Sequence, residues 1–188
     1  MDFGQGLKEV TIHIGGIFAS REPAVVRTVL GSCVSACVFD PLTNVGGINH
    51  FMLPDGDNES GTPTRYGINA MEVLINEVMK LGGERRRLRA KVFGGGHVLN
   101  IQSVGPAVPE RNAVFVKEFL ATERIPILSQ RLGGVNPLQI HFFTHSGKVL
   151  LRILGGRDEE IAGEEERYRV EAVKTVARRG GDESVTLF

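Results

Sequence analysis

Two apolar runs at 33–39 and 45–53, flanking the turn-forming tetrad Pro41-Leu42-Thr43-Asn44, constrain this chain more than any other feature. Short runs rich in Val, Ile and Phe joined by such a tetrad read as a β-hairpin. With Asp40 opposite Val45, every other pairing in the hairpin follows. Cys33 falls opposite Met52, and His50 becomes its diagonal neighbour on the same face. Neither run alternates cleanly between apolar and polar residues, so both faces of the hairpin need cover.

Six further segments, 10–14, 24–30, 88–93, 125–128, 138–143 and 149–154, combine β-branched residues with turn-forming borders and read as strands. Between them Gly67, Met71, Leu74, Val78 and Leu81 recur at helical spacing, with Thr62 or Thr64 as cap and Gly82 as stop. A second helix is expected to follow Asn112 as its cap, burying Phe115, Val116, Phe119 and Leu120. The expected fold is therefore α+β: a layered β-sandwich with helices packed on one side.

A length of 188 residues suits one principal domain with a core large enough to need neither a metal nor a disulfide. The domain is expected over 1–156. At 157–188 a charged extension carries Ile161, Tyr168, Ala172 and Val176 at roughly helical spacing, and reads as a solvated helix or a docking helix. Lys and Arg total 22 against 22 Asp and Glu, which argues against nucleic acid as a partner. The uncharged stretch at 92–109 is broken by glycines and prolines, so membrane insertion is not expected. The start Met1-Asp2 carries no secretory pattern, and Cys33 and Cys37 form neither a CxxC motif nor a disulfide framework. A reducing cytoplasm is the expected compartment.

Chemistry is concentrated in TVLGSCVSACVFDPLTNVGGINHFMLP at 28–54. Diagonal neighbours on a hairpin stand roughly 7 to 8 Å apart at the backbone, close enough for a thiol and an imidazole to meet where a strand bulges or twists. Gly31-Ser32 can bend the chain and lift Cys33 to the strand end. A neighbouring imidazole would raise the thiolate fraction of Cys33 by pairing with the anion, giving a nucleophile and its base. By spacing alone the plainer reading also stands, since buried free cysteine often behaves as a small hydrophobe. Cys37, between Ala36 and Val38, reads as packing.

Other signals are weaker. Gly94-Gly95-Gly96 lacks the lysine of a phosphate loop and reads as a tight packing turn. Asp55, Asp57 and Glu59 resemble the start of a calcium loop whose glycine and distal Glu are misplaced. His141 and His145 would stand ~13 Å apart on a strand, too far to share a zinc ion. His13 and His97 show no ligand partners in the sequence, and no metal or cofactor is called for. ERRRLRAK at 84–91 reads as a solvated strand entry or as a docking surface for an acidic partner.

LGSCVSACVFD, the following HFMLP, RYGINAM at the helix start and AKVFGGG at a strand end together resemble the chemoreceptor glutamine deamidase family, CheD, over residues 8 to 154. The resemblance implies a layered sandwich, Cys33 as nucleophile, His50 as base and Thr28 as the residue assisting the histidine. It also implies hydrolysis of receptor glutamine side chains to glutamate and ammonia in chemotaxis adaptation, without a cofactor. Methyl-accepting chemotaxis receptors would be the substrates and a CheC-type phosphatase a partner. Three places depart from the family pattern: Val108-Pro109 stands in place of Ile-Gly, Pro137-Leu138 in place of Gly-Arg, and Gly96-His97 follows Gly94-Gly95. These leave open a non-catalytic regulator that binds the phosphatase, or a cysteine hydrolase or transamidase with other targets.

Overall fold

A computed structural model describes residues 7–53, 62–98, 108–155 and Arg167. The extension at 157–188 (Arg167 apart) and the acidic segment at 55–61 lie outside the described residues. Within them the chain forms nine strands and two α-helices: β1 (Lys8–Thr11), β2 (Ile17–Ser20), β3 (Ala24–Leu30), β4 (Val34–Asp40), β5 (Val45–Asn49), α1 (Thr62–Lys80), β6 (Arg89–Gly94), α2 (Val108–Thr122), β7 (Ile127–Leu132), β8 (Leu138–Phe143) and β9 (Val149–Ile153). One sheet has the order β1-β3-β8-β9 and the other β2-β5-β4-β6-β7. Both are mixed, with β1 parallel to β3 and β6 parallel to β7.

The α+β expectation holds. Both helices pack mainly on the five-stranded sheet, giving three layers. Two cores result. Val34, Ala36, Val38, Met71, Leu74, Val78, Val116 and Leu120 fill the space between that sheet and the helices. Val26, Leu30, Cys33, Cys37, Phe39, Ile48, Ile140 and Phe142 fill the space between the sheets. β4 lies in the middle with all seven residues buried, sending alternate side chains to opposite layers.

The hairpin register is as the sequence requires, from Asp40 opposite Val45 to Cys37 opposite Ile48. The ladder lapses there and resumes at a single bridge, Val34 opposite Phe51, so the strand expected at 45–53 ends at Asn49. β2 was not anticipated. Its IFAS sequence is too short and too weakly patterned to stand out from the turn at 13–16, and pairing with β5 makes it a strand.

At the turn end of the hairpin, Asp40 is buried and accepts hydrogen bonds from the backbone N–H of Leu42 and of Glu84, each at 2.9 Å, and from the Arg87 guanidinium at 2.8 Å. Burial works against the Asp40 charge, but the bonds from Arg87, Glu84 and Leu42 outweigh it and hold the carboxyl well below its ordinary range. The basic run at 84–91 is largely drawn into such contacts. Arg85 pairs with Glu123, Arg87 with Asp40 and Glu84, and Lys91 lies over the Phe39 ring.

Both helices end in the same way. Gly82, at φ +103°, donates to the Met79 carbonyl and Gly83 to that of Val78, a Schellman closure at the glycine the sequence marks as a stop. α2 closes through Arg124, which bonds to the Ala121 carbonyl while Ile125 bonds to that of Leu120, but here a non-glycine residue stands at φ +56°. A left-handed conformation costs an L-residue roughly 1 kcal/mol that glycine avoids. Arg124→Gly should therefore raise the stability of the folded protein by up to about 1 kcal/mol in urea unfolding; an unchanged or lower midpoint would show that the Arg124 side chain compensates for its backbone.

Candidate active site

The chain passes from one sheet to the other between the end of β3 at Leu30 and the start of β4 at Val34, so Gly31-Ser32-Cys33 forms the corner. Backbone donors from the glycine loop hold that corner. Gly96 donates to the Gly31 carbonyl and Gly95 to the Cys33 carbonyl, both at 2.7 Å. Gly94, at φ +108°, lies so close that a Cβ there would stand 2.1 Å from the Cys33 carbonyl oxygen. The triple glycine is thus the packing turn the sequence suggested, and it buttresses the cysteine.

The three residues singled out in the sequence meet in the core between the sheets. His50 Nε2 lies 2.7 Å from Cys33 Sγ, and His50 Nδ1 lies 2.8 Å from Thr28 Oγ1. Thr28 projects from β3 in the four-stranded sheet, so the chain of contacts crosses from one sheet to the other. All three residues are buried. The Thr28 hydroxyl donates its proton to the Ile12 carbonyl at 2.8 Å. A hydroxyl has one hydrogen, so toward His50 it can only accept. Nδ1 must then carry the ring proton, leaving the Nε2 lone pair directed at Cys33 to receive the thiol hydrogen.

Burial, with a smaller contribution from the His13 charge, pushes His50 down to about 3, so the imidazole is neutral at pH 7. This modifies the expectation, drawn from the sequence, that the ring raises the thiolate fraction of Cys33 by pairing with the anion. The resting ring is neutral, with Nε2 facing the thiol. Cys37 is also buried between the sheets, and burial pushes its thiol far above the ordinary cysteine range, as expected of a packing residue.

Three of the remaining histidines, His97, His141 and His145, lie elsewhere in the structure. His97 Nε2 pairs with Glu110 Oε1 at 2.6 Å, His141 lies on β8, and His145 packs edge-on against Phe143. Among the described residues no group of three or more His, Cys, Asp or Glu could hold a metal ion.

Sequence reasoning missed the role of two buried asparagines. Asn49 Oδ1 accepts from the Ala36 N–H at 3.0 Å while its Nδ2 donates to the Ala70 carbonyl at 3.1 Å. Asn112 does not cap α2: the helix starts at Val108, with Pro109 tolerated in its first turn, and this carries Asn112 into the core. Its Oδ1 accepts from the Leu53 N–H at 2.8 Å and its Nδ2 donates to the Ser32 carbonyl at 2.9 Å. Pro109 was the available signal, because proline favours the start of a helix over the turn that precedes one.

A family model described as CheD chemotactic sensory transduction matches residues 52–153. A protein of Albidiferax ferrireducens named "Probable chemoreceptor glutamine deamidase CheD 1" is 47% identical over 182 residues, which is 95% of this chain and 75% of that protein. A Bordetella avium protein named "Probable chemoreceptor glutamine deamidase CheD" is 47% identical over 163 residues, 84% of this chain and 71% of the relative. A protein of the same name from Xanthomonas axonopodis pv. citri is 42% identical over 160 residues, 85% and 80% of the two chains. Matched by the family model over more than half its length and by such relatives across most of it, the chain belongs to the CheD family.

Proposed function

We propose that this chain is a chemoreceptor glutamine deamidase in which Cys33 is the nucleophile, His50 the general acid and base, and Thr28 the residue that fixes the His50 ring. The observation that carries this reading is the 2.7 Å contact between His50 Nε2 and Cys33 Sγ, with the other ring nitrogen anchored on Thr28. His50 Nε2 takes the thiol proton as Sγ attacks the side-chain amide carbon of a glutamine. The tetrahedral oxyanion collapses, and His50 returns the proton to the departing nitrogen, which leaves as ammonia. Water then gives a proton to Nε2 and its oxygen attacks the thioester; collapse releases a glutamate carboxylate and regenerates the thiol. Because Cys33 is buried, a glutamine reaches it only after its covering side chains part, so an opening step precedes the chemistry.

The substrates in this reading are the receptors named for the relatives, and the site of action is the cytoplasm, where a free thiol remains reduced. No helix among the described residues is long and apolar enough to cross a membrane. A non-catalytic regulator would not need a threonine, an imidazole and a thiol aligned for proton transfer, and this favours the enzyme. A CheC-type phosphatase belongs to the proposal as a second partner, supported by membership of the family.

Cys33→Ala should abolish conversion of Gln to Glu in a receptor cytoplasmic fragment, followed by mass spectrometry, while Cys37→Ala keeps most of it; a working Cys33→Ala enzyme would refute the mechanism. That inactive variant should still bind a CheC-type protein about as well as wild type in calorimetry, and absence of a complex with either form would remove this partner.

His50→Ala should slow turnover on the order of 10² to 10⁴-fold, the usual weight of a positioned acid-base group, and slow iodoacetamide alkylation of Cys33 near neutral pH. Replacing His97, His141 or His145 should change neither. The depressed His50 value also has a stability consequence. Between about 6.5 and about 3 the unfolded chain binds a proton at this residue that the folded chain does not. Its contribution to stability is therefore present above about 6.5 and lost as pH falls toward 3. Urea midpoints measured across that window should fall less steeply in His50→Gln than in wild type; parallel profiles would show that the ring titrates normally.

A further inference from the structure

In a regular antiparallel ladder, alternate opposed residues exchange backbone hydrogen bonds. Val34 and Phe51 do so, each N–H donating to the other's carbonyl at 2.9 Å. The same register makes Ala36 with Asn49, and Ser32 with Leu53, the neighbouring bonded pairs. In both of those places an asparagine carboxamide stands in the ladder. The Ala36 N–H goes to the Asn49 side chain. The Leu53 N–H goes to Asn112 Oδ1, and Asn112 Nδ2 goes on to the Ser32 carbonyl. Asn112 thus fills the place of a direct bond from Leu53 to Ser32 and holds the two strands one amide apart.

Cys33 lies between Ser32 and Val34, and His50 between Asn49 and Phe51. In an unspread ladder these diagonal neighbours would stand roughly 7 to 8 Å apart at the backbone, with their side chains roughly parallel. Spread and twist let such side chains converge, and here the tips Nε2 and Sγ are 2.7 Å apart.

We propose that Asn112 is a positioning residue for the Cys33–His50 pair: by bridging Ser32 and Leu53 from α2, it sets the spread and twist of the hairpin end that bring the thiol onto the imidazole. This rests on the reading that the pair performs the chemistry. Asn112 touches neither reacting atom. It acts on Cys33 through the preceding residue and on His50 through a residue three positions further along. Being fully buried, it holds both carbonyl and amide in one fixed orientation. Asn49 provides the corresponding spacer on the other side of the bridge and ties it to α1 through Ala70.

The test is a double-mutant cycle on the full chain, read by the rate of Cys33 alkylation with iodoacetamide and by kcat and KM on a receptor fragment. In the wild-type background His50→Ala should slow alkylation. In the Asn112→Ala background the same change should have little effect, because the pair is already apart. Asn112→Ala alone should lower kcat about a hundredfold, the scale of a 1 Å misplacement of reacting groups, with KM changed less than about twofold. No effect of His50→Ala in either background would sink the dyad itself. An equal effect in both would overturn only the role of Asn112.

Asn112→Asp guards against a variant that fails to fold. When protonated, the new carboxyl can donate to the Ser32 carbonyl and accept from the Leu53 N–H, restoring the bridge. When ionised, it repels that carbonyl. The kcat of Asn112→Asp relative to wild type should therefore fall about tenfold or more as pH rises through the titration of the buried acid, and recover on return to low pH. A ratio independent of pH would overturn the proposal.

Discussion

The contact that joins Thr28, His50 and Cys33 through the inter-sheet core sets the terms for the rest of the structure. It needs one residue from each of three segments: β3 in one sheet, the corner that leads out of it, and the end of the hairpin in the other sheet. No single element could supply all three. A sandwich whose chain crosses between layers at Gly31-Ser32-Cys33 does so at short range, and the crossing point is also where a strand end frees backbone for the glycine loop to grip. Placing the pair between sheets excludes water, so each hydrogen bond in the chain is stronger and each unpaired polar atom more costly. The Thr28 proton on the Ile12 carbonyl completes the chain of donors and acceptors at its far end.

Much of this could be read from the sequence, for a simple physical reason. A hairpin closed by Pro41-Leu42-Thr43-Asn44 admits one pairing that keeps its apolar residues facing two layers, and that pairing puts His50 diagonal to Cys33. The distance between them could not be read. It depends on side chains of Asn49 and Asn112 entering the ladder, and an asparagine in sequence looks first like a turn or cap residue. Asn112 was misplaced for that reason, and the start of α2 with it. Thr28 could be named from family resemblance but not from the strand pattern, because its contact crosses between sheets and leaves no local periodicity.

The two ends of the hairpin are held by opposite means. At the turn, a buried Asp40 gathers backbone and guanidinium donors into a charged clamp that fixes the register. At the open end, neutral carboxamides separate the strands. The difference suits the chemistry proposed for the pair. A fixed charge beside the thiol would bias the proton between sulfur and nitrogen, whereas an amide sets distance with no net charge. Burial of all seven β4 residues transmits both constraints along one rigid strand.

A His50 value pushed down to about 3 would be a poor property for a base acting on a distant acid, and in the mechanism proposed above it has a use. The same burial that disfavours imidazolium in the resting site makes the site responsive to a charge that appears nearby. As the thiol proton leaves, negative charge develops on sulfur and then on the substrate oxygen, and each favours the protonated ring far more in a dry core than it would in water. Imidazolium is therefore stabilised when an anion is forming and disfavoured otherwise. In that mechanism proton transfer and attack on the amide are coupled, and the cysteine does not persist as a reactive thiolate between turnovers. The Nδ1–H bond to Thr28 holds the ring orientation, so in the proposed mechanism the donor that protonates the leaving nitrogen is already in place when the tetrahedral intermediate collapses.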